Sequence, residues 1–91
     1  MEFVERTQRY EVVYGWDRAR GLFVQVVDLE DPDGADMVID LDAMFDGLTI
    51  TKAVKVARYY GAKRVLSNLM SAPLEVRVGI YQTAGEGEDD D

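Results

Sequence analysis

Cysteine and histidine are both absent from this 91-residue chain. Without cysteine there are no disulfides, iron–sulfur clusters, thiolate zinc sites or thiol nucleophiles. Without histidine the chain lacks the side chain best suited to proton transfer near neutral pH, and the commonest metal ligand. Together these absences exclude Ser-His-Asp and Cys-His catalysis and nearly all zinc chemistry. Ser67 and Ser71 are left without a base to activate them. Catalysis by carboxylates alone needs two acids facing each other across a cleft. The acids here gather in a turn and a tail instead. A non-enzyme without a cofactor is therefore expected. No apolar run approaches the roughly 18–20 residues of a membrane span. The first residues, MEFVERTQRYE, lack a basic segment followed by an apolar one, so they do not read as a signal peptide. A cytoplasmic protein is the expectation, and the missing cysteine fits a reducing compartment.

What the chain does have is segregated charge. Residues 1–47 carry four basic and twelve acidic side chains, residues 48–82 six basic and one acidic, and residues 83–91 five acids alone. The net charge is −8. Apolar residues make up 47% of the chain, an ordinary globular content. Ninety-one residues suit one domain with a small core, and small cores are often helped by self-association. The division expected is a single domain over 1–82 and a disordered acidic tail over 83–91, which has no apolar anchor and repels itself.

Residues 9–16, RYEVVYGW, and 21–29, GLFVQVVDL, are rich in β-formers and predict a hairpin joined through Trp16-Asp17-Arg18-Ala19-Arg20. Both faces of the second strand are apolar: Leu22, Val24 and Val26 on one side, Phe23 and Val27 on the other. That strand is therefore central, or its outer face is covered. Residues 30–36, EDPDGAD, form a polar turn, and 37–41, MVIDL, a short third strand. DAMFDG predicts one helical turn ended by Gly47. Residues 49–60 predict a helix with Thr49 as N-cap, a stripe of Ile50, Ala53, Val54 and Ala57, and Gly61 as the terminating residue. A second helix fits 62–71, with Val65, Leu66, Leu69 and Met70 inward. Residues 74–82 alternate as a last strand. The fold class is thus α+β: a small, mainly antiparallel sheet of three or four strands, in the order β-β-β-α-α-β, with two helices on one face.

Several patterns point toward ligands. The acids between Asp28 and Asp46 invite a calcium loop with Gly34 at its sixth position. That register puts Leu29 first, where no side-chain oxygen exists, and Asp40 twelfth in place of glutamate. A solvated turn fits better, and no metal is expected. Ala57 and Gly61 have the spacing of a helix-turn-helix, with Lys52, Lys55, Arg58, Lys63 and Arg64 nearby. Ser67 stands where that motif wants a buried apolar residue, and phosphate binding must overcome the negative net charge. Tyr10, Tyr14, Tyr59, Tyr60 and Tyr81 invite an aromatic platform, but they lie on three elements. The acidic tail can screen the basic segment or serve solubility alone. The hairpin tip offers Trp16, Arg18 and Arg20, with Phe23 beside it, and Trp and Arg are favoured at interface hot spots. The competing use of Trp16 is to cap the core.

The run Tyr10-Glu11-Val12-Val13-Tyr14-Gly15-Trp16-Asp17, followed by Phe23-Val24-Gln25-Val26-Val27-Asp28, resembles small uncharacterised bacterial proteins. These have a Gly-Trp-Asp turn and a strand ending Gln-Val-x-Asp. The likeness covers about a fifth of the chain and implies a recurring hairpin unit, with no activity attached. The expected role is a non-catalytic protein-interaction module. Its contacts are Trp16, Arg18, Arg20 and Phe23, and it self-associates through Phe23, Val27 or a sheet edge. The alternatives are a nucleic-acid-binding regulator using Lys52, Lys55, Arg58, Lys63 and Arg64, and an acidic, antitoxin-like inhibitor that mimics a ligand of a basic partner.

Overall fold

A computed structural model of the chain describes residues 1–31 and 37–74. Four strands form one antiparallel meander in the order β1-β2-β3-β4: Glu2–Arg6, Tyr10–Asp17, Gly21–Asp28 and Met37–Asp42. Three helices follow, α1 (Ala43–Asp46), α2 (Ile50–Tyr59) and α3 (Val65–Leu69). The α+β class and the mainly antiparallel sheet match the sequence pattern. The described order opens with an additional strand, β1; α1 is the helical turn expected before Gly47, and α2 and α3 are the two expected helices. The last expected strand, beyond Leu74, and the acidic tail lie outside the described residues. Among the described residues no helix is long and apolar enough to cross a membrane.

The β2–β3 hairpin is tighter than the sequence suggested. Asp17 pairs with Gly21, leaving a three-residue loop, and Gly21 takes a positive φ of 68°. That is the usual solution for a three-residue hairpin, in which a glycine supplies the left-handed position. One face of the sheet carries Val12, Tyr14, Leu22, Val24 and Val26, all buried. Leu48, Ile50, Ala53, Val54 and Ala57 cover them from α2 and the residues before it, and Ala62, Val65 and Leu69 from the α3 side. Alanines at 53 and 57 let the α2 backbone come close to the sheet.

Local chemistry sets the helix ends. The Thr49 hydroxyl accepts from the Lys52 amide at 3.2 Å. At the other end of α2, Gly61 (φ 102°) lets its amide reach the Arg58 carbonyl and the Ala62 amide reach that of Ala57. This is a Schellman closure. The second helix is shorter than expected, and it buries Val65 and Leu69 only. Leu66 and Met70, expected inward, are 43% and 44% exposed.

Strand β1 secures the chain start against the hairpin. The Met1 amino group donates to the Trp16 carbonyl at 2.9 Å, and the Trp16 amide returns a 3.0 Å bond to Met1. Gly15 is opposite Glu2, and a Cβ there would run into the Met1 carbonyl oxygen. Gly15→Ala is therefore expected to cost about 1–3 kcal/mol, the usual range for overpacking. Urea unfolding measures this. An unchanged midpoint would show that β1 moves aside freely.

Candidate functional site

The hairpin tip uses most of its chemistry internally. Asp17 accepts from the Arg20 backbone amide at 2.7 Å and pairs with the Arg20 guanidinium, also at 2.7 Å. The amide and guanidinium bonds hold the Asp17 carboxyl below its ordinary pKa. The pairing lays the guanidinium over the Phe23 ring, 3.7 Å from its centroid. Phe23 is on the outer face of the sheet, directly across from Gly15 and Asp42, and is 2% exposed. Trp16 is half-buried against the core, its ring 5.8 Å from that of Phe3. Of the four residues expected at a contact surface, only Arg18 is exposed.

The four described tyrosines do not share one surface. Tyr14 is fully buried and stacks on Phe3 at 5.5 Å. Tyr10, Tyr60 and Tyr59 form an edge-to-face row, with centroids 4.9 and 5.0 Å apart. Edge-to-face rings do not offer the parallel plane that stacks a base. Tyr81 lies outside the described residues.

Lys55 and Arg58 line one groove between α2 and α3, while the backbone of Lys63 and Arg64 lies against Glu5 of β1. Lys52, Lys55, Arg58, Lys63 and Arg64 are all exposed, and none forms an ion pair with another described residue. The two amides just before α3 are already occupied. Glu5, on β1, accepts from Lys63 N at 2.8 Å and from Arg64 N at 3.2 Å. A carboxylate from 58 residues away thus anchors the backbone that enters α3, whose N-cap residue Arg64 makes no side-chain cap. An external anion would have to displace it.

Among the described residues two open surfaces stand out. The first is a groove between α2 and α3 of about 430 Å³. Ile50, Val54, Leu66 and Met70 make its apolar lining, and Lys55 and Arg58 bring the positive charge, with Thr51 beside them. That volume is in the range of ligand pockets, although the groove is open to solvent. The second is α1, where Phe45 is 83% and Met44 64% exposed. Neither surface was singled out from sequence. Four apolar residues at 65, 66, 69 and 70 are more than one short helix can bury on a single face, and that excess was the available signal for the groove.

Among the described residues, no group of three or more acidic, histidine or cysteine side chains is placed to hold a metal ion. The calcium loop weighed above spans 29–40, and its residues 32–36 lie outside the described residues. The chain matches no protein-family model, no curated protein and no solved structure at a significant level.

Proposed function

We propose that this chain is a small, non-catalytic protein-interaction module whose contact surface is the α2–α3 groove. The observation that carries this reading is the groove itself: an open apolar floor beside Lys55 and Arg58, cations with no partner among the described residues. Exposed apolar surface rimmed by charge is the usual form of a protein contact site. The fitting partner is a segment with apolar anchors flanked by carboxylates. The hairpin tip is the weaker candidate, because Arg20 and Phe23 are engaged with each other. A reducing compartment such as the cytoplasm suits a chain without cysteine.

Leu66→Glu places a carboxylate on the groove floor at a solvent-exposed position, so the fold should survive. Wild-type and Leu66→Glu protein would be immobilised and exposed to nuclease-treated lysate, with bound species identified by mass spectrometry. The expected result is a protein retained by the wild type and lost from the variant, with little response to added salt. Retention of nucleic acid that collapses steeply with salt would favour the basic-segment alternative. Retention of a strongly basic protein by both forms would favour the acidic inhibitor.

A further inference from the structure

We infer that the groove receives the α1 knob of a second copy of this chain, giving a head-to-tail association; this rests on the groove being a docking surface. The knob is built to hold its shape. The Asp42 carboxylate accepts from the Phe45 amide at 2.6 Å, and the Asp46 carboxylate accepts from the Asp42 amide at 2.9 Å. The Met44 amide donates to the Arg20 carbonyl at 3.1 Å, which ties α1 to the hairpin loop. Behind it, Gly47 closes the turn in the left-handed conformation, and Leu48 and Ile50 anchor the chain in the core. Phe45 and Met44 are thus presented to solvent from a turn fixed on both sides. An anchor ordered before contact loses little entropy on binding.

Knob and groove match in polarity and in charge. Phe45 and Met44 stand between Asp42 and Asp46, while the apolar groove carries Lys55 and Arg58. Each carboxylate uses one oxygen in the knob and leaves the other for a cation. Two knobs would bring acids against acids, and two grooves bases against bases. Only the knob-to-groove pairing joins unlike charge, so the contact is heterologous and leaves a free knob at one end and a free groove at the other. Insertion into the same molecule's groove is not what the structure shows, since Phe45 stands 83% exposed. The full chain carries a net charge of −8, a repulsion between copies that the local pairing of unlike charge has to offset. One knob in one groove makes a small interface, so the association is weak and depends on concentration.

Sedimentation of the full chain from about 10 μM to 1 mM, the range of a small interface, tests this. The wild type should gain mass with concentration and pass beyond a dimer. Phe45→Ser removes the knob, Leu66→Glu blocks the groove, and each should lower self-association about tenfold or more. Both positions are exposed, and circular dichroism would verify that each variant is folded. The decisive step is the mixture. Phe45→Ser keeps a groove and Leu66→Glu keeps a knob, so together they should form a one-to-one pair that grows no further. With the Phe45→Ser protein isotopically labelled, unlabelled partner should shift the resonances of Val54, Leu66 and Met70 and leave those of the substituted position 45 unmoved. A wild type that stays monomeric, an assembly that stops at a symmetric dimer, or a mixture that fails to pair would each overturn the inference. A monomeric wild type whose lysate partner still depends on Leu66 would overturn it while leaving the groove as the docking surface.

Discussion

Phe23→Ala is expected to destabilise the protein by about 3–5 kcal/mol, the usual cost of removing a buried phenylalanine. Phe23 is 2% exposed although it points away from the helices, and Arg20 of the hairpin loop lies over its ring. Its cross-strand neighbour Gly15 has no side chain, so the ring covers backbone that would otherwise face water. Domains of this size are commonly stable by only about 5–15 kcal/mol, so the variant should show a large loss of midpoint in urea. Arg20→Ala removes the cation–π cover and leaves Asp17 without its guanidinium. At this partly exposed site it should cost about 0.5–1 kcal/mol. Val27→Ala, on the same face but half-buried, should cost less than Phe23→Ala. If Phe23→Ala keeps its midpoint and instead loses a partner, the hairpin tip is the contact surface.

That contrast shows which parts of the fold were legible in the sequence. Turn and cap chemistry was, because it is local. Thr49, Gly47 and Gly61 do at the ends of their helices what those residue types do in general. The alternation of β3 was also readable, including the warning that both its faces are apolar. That Arg20 lies over Phe23 was not readable, since it depends on the Asp17 bond that holds the guanidinium there. Strand β1 was missed because Glu2-Phe3-Val4-Glu5-Arg6 has three charges in five residues and no strand signal of its own. It becomes a strand by pairing with β2, from Glu2 with Gly15 to Arg6 with Glu11. Context of this kind overrides propensity in sheets more readily than in helices.

The same holds for the surfaces. The basic segment was visible as a run of residues, but the anchoring of its backbone by Glu5 depends on a contact across most of the chain. The apolar residues of 65–70 were visible too. Which of them turn outward depends on the short length of α3 and on how α2 lies beside it. Groove and knob follow from tertiary placement, while the charges that flank them, basic after residue 48 and acidic before it, were already segregated in the sequence.

Glu5→Ala is expected to cost about 1–3 kcal/mol at neutral pH, with a dependence on pH that identifies the cause. One Glu5 oxygen takes the Lys63 amide, and the other takes the Tyr14 hydroxyl at 2.5 Å. Asn68 donates to the same hydroxyl at 2.8 Å, so β1, β2 and α3 meet at one polar cluster on the edge of the core. Burial alone would raise the Glu5 pKa. The bonds from Tyr14, Lys63 and Arg64, with the Arg64 charge, outweigh it and leave the carboxyl below its ordinary 4.5. A carboxyl lowered on folding stabilises the native state above its unfolded pKa and loses that contribution as pH falls through the folded value. The difference between wild type and Glu5→Ala should therefore be full at pH 7 and shrink below about pH 4. Tyr14 gives the opposite limb. Burial first, and then its bond to Glu5, raise its hydroxyl from 10.0 to about 12, with Asn68 acting the other way. A group raised on folding stabilises the native state below its unfolded pKa, so this contribution fades as pH rises from 10 toward 12. Tyr14→Phe should cost about 1 kcal/mol at pH 7 and progressively less in strong alkali. Urea unfolding of the three proteins across the pH range separates these outcomes. A Glu5→Ala deficit that does not change in acid would mean that the residue acts through packing, and that the entry to α3 is held without its carboxylate.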